Sequence, residues 1–125
     1  DSTSALDLVT EAKLYKAMRD NIADTTKIVV AQRIATAKNA DKETLFSFTV
    51  HGTFSVNSGV SASCTKSSYS YSITNKAWEL KSASATRSGN KAIANAEFIK
   101  KLVFVTVDTF DANIVLACDS NGNLS

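Results

Sequence analysis

At 125 residues the chain fits one domain, with enough material for a hydrophobic core that needs no metal to hold it. Hydrophobic residues make up 44%, no uninterrupted apolar run reaches the ~18 residues of a membrane-spanning helix, and a net charge of +2 is too small to imply nucleic acid. The chain opens on Asp1 with no basic-then-apolar leader, so a secretory leader is expected either to have been removed or never to have existed.

Residues 4–22, SALDLVTEAKLYKAMRDNI, read as one amphipathic helix. Ala5, Leu8, Val9, Ala12, Tyr15, Met18 and Ile22 recur at three- and four-residue steps, while Asp7, Glu11, Lys13, Lys16, Arg19 and Asp20 fall mostly off that stripe. Ala23 to Thr26 offers capping chemistry. Beyond it the signal is divided: Ile28, Val29 and Val30 favour strand, whereas Ala31, Gln32, Arg33, Ala35, Ala37 and Lys38 favour helix. A second helix over residues 25–38, or a bent continuation of the first, is the expectation. Residues 39–44 form a polar connector.

Leu45 to Val56 is the clearest strand. Phe46, Phe48, Val50, Phe54 and Val56 alternate with Ser47, Thr49, His51, Thr53 and Ser55. Gly52 stands where the apolar face lacks a large side chain, which predicts close approach by a neighbour. After Asn57-Ser58-Gly59, a second alternating run covers residues 61–74, with Tyr69, Tyr71 and Ile73 on one face. A third strand, Ala77 to Ala85, turns Trp78 and Leu80 inward. These three form a meander. KAIANAEFIKKL, residues 91–102, reads as a short helix with Ala92, Ile93, Ala96 and Ile99 inward. Leu102 to Val107 and Phe110 to Cys118 then close the sheet as a hairpin turning at about Asp108-Thr109, and 119–125 is expected to be a loose tail. The fold class is therefore α+β: a single domain with a helical part over 1–40 and mainly antiparallel sheet over 45–118.

Cys64 and Cys118 lie 54 positions apart, which is neither a metal spacing nor a redox CxxC pair. In a chain rich in Ser, Thr and Asn they read as one disulfide, worth about 3–4 kcal/mol by the chain-entropy estimate. The alternative is two buried free thiols. Six basic residues, Lys76, Lys81, Arg87, Lys91, Lys100 and Lys101, stand against Glu79 and Glu97, and the following segment carries Asp108, Asp111 and Asp119. Opposite signs on neighbouring segments suit subunit contact; the plainer reading is a solvated surface.

No constellation points to catalysis, a cofactor or a metal. His51 is the sole histidine and falls on the polar face of its strand. Ser63-Cys64-Thr65-Lys66 and Ser88-Gly89-Asn90-Lys91 both match S-x-x-K, but the companion signatures of serine/lysine acyl enzymes are missing. Asp119-Ser120-Asn121-Gly122-Asn123 begins like a calcium loop, with its glycine at the fourth position instead of the sixth. Tyr69, Tyr71 and Trp78 have the spacing of a stacking platform or, better, of a core under the first helix.

The order of parts resembles the soluble head of a type IV pilin or pseudopilin. The residues that carry the resemblance are SALDLVTEAKLYKAMRDNI as the half-helix, Leu45 to Ala85 as the meander, and Cys64 with Cys118 as the C-terminal staple. It implies a structural subunit of an extracellular, cell-surface filament, with no catalytic residue and no cofactor. The hydrophobic N-terminal helix of that family would be trimmed or carried on another chain. Partners would be other filament subunits, met through the basic residues from Lys76 to Lys101. The alternative function is a small secreted binding or inhibitor domain that lays a helix on a curved sheet.

Overall fold

The computed structural model describes residues 7–19 and 26–125, with side chains described from Lys27 onward. Among these residues there is no helix. Seven antiparallel strands follow one another: β1 (Asp7–Arg19), β2 (Thr26–Lys38), β3 (Thr44–Asn57), β4 (Ser61–Ile73), β5 (Trp78–Ser88), β6 (Lys91–Leu102) and β7 (Val105–Ala117). Strands β2-β3-β4 and β5-β6-β7 form two three-stranded layers, and β1 extends the first along the edge of β2. The layers face each other, with β6 and β7 across β3, β7 also meeting β2, and β4 and β5 forming the corner between them.

The α part of the α+β expectation is thus overturned. Over residues 7–19 the amphipathic helix is a strand, in register from Asp7 opposite Lys38 to Arg19 opposite Lys27; the rest of 4–22 lies outside the described residues. That stretch carries two periods at once. Leu8, Thr10, Ala12 and Leu14 are two apart, and a bulge between Leu14 and Lys16 then interrupts the alternation. Pairing also covers what would otherwise be a long exposed edge on β2.

The second helix, 25–38, is also a strand from Thr26 onward. Val29, Ala31, Ala35 and Ala37 are buried on one face. Alanine has helix propensity, and Arg33 sits among them with Nε buried and unpartnered, so composition concealed a period-two pattern. The expected helix over 91–102 is β6: Ala92, Ala94, Ala96 and Phe98 face the core at alternate positions. The hairpin that follows turns at Val103-Phe104, leaving Asp108 and Thr109 inside β7.

Small residues on one layer receive large ones from the other. Phe46 of β3 stacks on Phe98 of β6 with ring centroids 4.0 Å apart, and Trp78 lies 5.2 Å from Phe46. Phe48 meets Phe98 edge-on at 6.0 Å. Ala92, Ala94, Ala96 and Ala112 leave the volume these rings fill. Gly52 does admit a close neighbour: a Cβ there would stand 2.8 Å from the Phe54 ring and 3.0 Å from Ala92 Cβ. No helix is involved. Trp78 is in the core, whereas Tyr69 and Tyr71 are part-exposed at its rim, touching Phe48 and Phe98.

Hairpin connectivity sends the turns to two ends. One end carries the β3–β4 and β5–β6 turns and the C-terminus, and the other carries the β2–β3 turn, the β4–β5 connection and the β6–β7 tip. Strands of 11–14 residues separate the ends by roughly 40 Å.

Candidate functional site: an apolar hairpin tip

The last pair of the β6–β7 hairpin is Leu102 with Val105, so Val103 and Phe104 make the reversal. Neither is a turn former. Val103 adopts a φ of 62°, a left-handed conformation that a β-branched residue rarely takes. Phe104 is 93% exposed and Val103 79%; Leu102, Val105 and Val107 are exposed as well. Single exposed apolar side chains are common on proteins, but a contiguous run marks a contact surface.

A basic collar lies behind the run. Lys100 and Lys101 precede it, and the Lys101 amide donates to Ala77 O at 2.9 Å, which draws the connection bearing Lys76 alongside. Lys101 Nζ reaches Glu79 at 3.4 Å, and Lys100 stands opposite Asp108 in the ladder. The other basic residues are elsewhere. Lys91 and Arg87 flank the β5–β6 turn at the far end, where Arg87 donates to Cys64 O at 3.2 Å, and Lys81 pairs with Glu97 at 3.7 Å midway. The six therefore do not make one patch.

A second region, on the face of β5-β6-β7, is a shallow depression of about 410 Å³ lined by Ser82, Ser84, Asn95, Glu97, Asp111 and Asn113 with intervening alanines. Asn113 Nδ2 donates to Asn95 Oδ1 across it. His51 is on the other layer, its Nε2 2.9 Å from Ser70 Oγ, so no histidine stands beside the serines of the depression. Among the described residues, no three His, Cys, Asp or Glu side chains converge as metal ligands.

Cys64 and Cys118 are separate buried thiols. Both flank one turn: the Cys64 amide donates to Gly89 O at 2.7 Å, and the Cys118 amide to Asn90 O at 3.1 Å. Burial raises both thiol pKa values, with Asp119 adding to the rise at Cys118. Asp119 begins a turn that folds the tail back instead of leaving it loose. Its Oδ1 accepts from the amides of Asn121 and Asn123 at 2.9 and 2.8 Å, and those bonds lower its pKa. Ala117 and Ser125 exchange backbone bonds, and Gly59 N donates to Ser120 O at 2.8 Å.

Sequence reasoning missed the tip because Asp108 carried the obvious turn chemistry. One signal was present: LVFV follows two lysines without any polar residue at alternate positions, which no half-buried strand needs. What fold and site define, among the described residues, is an antiparallel β-sandwich with an exposed apolar hairpin tip. Compared with known proteins, the chain matches no family model, no curated protein and no solved structure.

Proposed function

We propose that this chain is a non-catalytic binding module that attaches to its target through the β6–β7 tip, in the class of small secreted binding domains. The observation that carries the reading is Phe104, 93% exposed at the apex of an apolar run whose backbone takes an unfavourable turn. Removing such side chains from water releases about 25 cal/mol per Å², so a partner that covers them gains several kcal/mol. A filament subunit is the second reading. Its support from a half-helix is gone with the strand over 7–19, and it now rests on the tip meeting a second copy.

An extracellular location belongs to the same proposal. It comes with that class of protein and does not rest on Cys64 and Cys118, which are separate thiols flanking one turn. Labelling of intact producing cells with a membrane-impermeant amine reagent tests this: modification of the chain is expected before lysis, and modification only after lysis would overturn it.

The attachment test compares the wild type with Phe104→Ser. The variant keeps the circular dichroism spectrum and melting temperature but loses retention on an apolar matrix and on the surface of the producing cells. Equal retention of both proteins would overturn the reading.

A further inference from the structure

We infer that the tip is built to enter the interface of an anionic lipid bilayer. The inference rests on the reading that the tip is the contact element, and names its partner. The first ground is shape. Leu102, Val103, Phe104 and Val105 are 63–93% exposed around the end of a projecting hairpin, so apolar surface faces several directions at once. A protein groove covers one face of a ribbon, whereas a bilayer surrounds whatever enters it.

The second ground is depth. From the Lys101 level the chain continues through the Leu102–Val105 pair to the Val103-Phe104 apex, roughly 7 Å of apolar hairpin at strand rise. Interfacial anchors bury their apolar part by about 5–10 Å. The third ground is charge. Lys76 and Lys101 are exposed at the base of the tip, at the level where headgroup phosphates would lie, and Lys100 adjoins them. Glu79 at Lys101 and Asp108 opposite Lys100 offset part of this charge, so the electrostatic contribution is smaller than the apolar one. Hydrogen bonding suits the same depth, because the reversal is closed by its own ladder and exposes only a short stretch of backbone.

The test is co-sedimentation of the whole chain with phosphatidylcholine vesicles, with and without phosphatidylglycerol, alongside sedimentation velocity of the protein alone. The wild type is expected to pellet with the anionic vesicles. Phe104→Ser lowers that partitioning by roughly tenfold. Lys76→Gln with Lys101→Gln removes most of the preference for anionic over neutral vesicles, as does raised salt. Quenching of a fluorophore at position 104 by lipid-borne quenchers places the apex below the headgroups.

A wild type that pellets with neither vesicle overturns the lipid assignment. If it instead self-associates with rising concentration, and Phe104→Ser does not, the tip remains the contact element and its partner is a second copy. Equal pelleting of wild type and Phe104→Ser overturns the assignment as well, since lipid would then be held elsewhere. Loss of neither vesicle binding, self-association nor cell retention on changing Phe104 would remove both the inference and the reading beneath it.

Discussion

The turns at the C-terminal end of the sandwich and the β6–β7 reversal at the other solve the same task, reversing antiparallel strands, with opposite chemistry. At the C-terminal end the turns use Gly59, Gly89 and Gly122 at positive φ, an Asp119 side chain that caps the tail turn, and backbone bonds that tie turn to turn. At the tip end the β6–β7 reversal uses valine and phenylalanine, one of them in a left-handed conformation, and leaves them in water. Local chemistry agrees with the fold at the first end. At the second it agrees in the turn where Asn39 Oδ1 accepts from the Asp41 and Glu43 amides, and in the connection where Asn75 Oδ1 accepts from the Ala77 amide. It conflicts at the β6–β7 reversal. A conflict kept at one exposed place is where function is expected, because folding alone gains nothing from it.

The largest effect comes from removing what both ends share. Phe98 stacks on Phe46 and meets Phe48 edge-on at the centre of the core, so Phe98→Ala is expected to cost about 3–5 kcal/mol in urea unfolding. Amide exchange at both ends should quicken together. If one end kept its protection, the two would not share a core.

Next is Gly52, whose missing Cβ leaves room for the fully buried Phe54 ring and for Ala92. Gly52→Ala should destabilise by about 1–3 kcal/mol, because a boxed-in ring cannot swing aside. A neutral result in thermal denaturation would show that the layers can separate locally.

Val103→Gly sharpens the contrast directly. Relief of the left-handed valine outweighs the added freedom of the unfolded chain, so the variant should be more stable by about 0.5–1 kcal/mol while attaching less well. The matching change at the other end, Gly89→Val, should have the reverse sign, since Gly89 has a φ of 57°.

The smallest expected effect is a pH dependence at Asp119. Its pKa is lowered in the fold by the amides of Asn123 and Asn121, so the bonds are fully present above the ordinary carboxylate value and lost as pH falls through the lowered one. Amide protection of Asn121 and Asn123 should therefore fall in acid before the core unfolds, while exchange near Val103 stays unchanged. The buried thiols act at the other limit. Their raised pKa values favour the fold below the ordinary thiol value, and that contribution fades as pH rises through the raised ones.

Sequence by itself determined the elements whose side chains state one period without ambiguity. The Phe46-Phe48-Val50 alternation of β3, the approach at Gly52, the inward Trp78 and the turn at Asn57 to Gly59 follow from residue type and spacing alone. Tertiary structure decided β1, β2 and β6, where alanines and a bulge support helix and strand alike. There the choice falls to partners: β2 needs an edge neighbour, and the alanines of β6 must stand opposite the rings of β3. It also decided the tip. Asp108 has the chemistry of a turn, but pairing Lys100 with Asp108 and Phe98 with Phe110 carries the ladder past it, so the reversal falls on Val103 and Phe104. Register is set by burying one whole face, and a burial gain summed over the core exceeds the preference of any two residues for a turn.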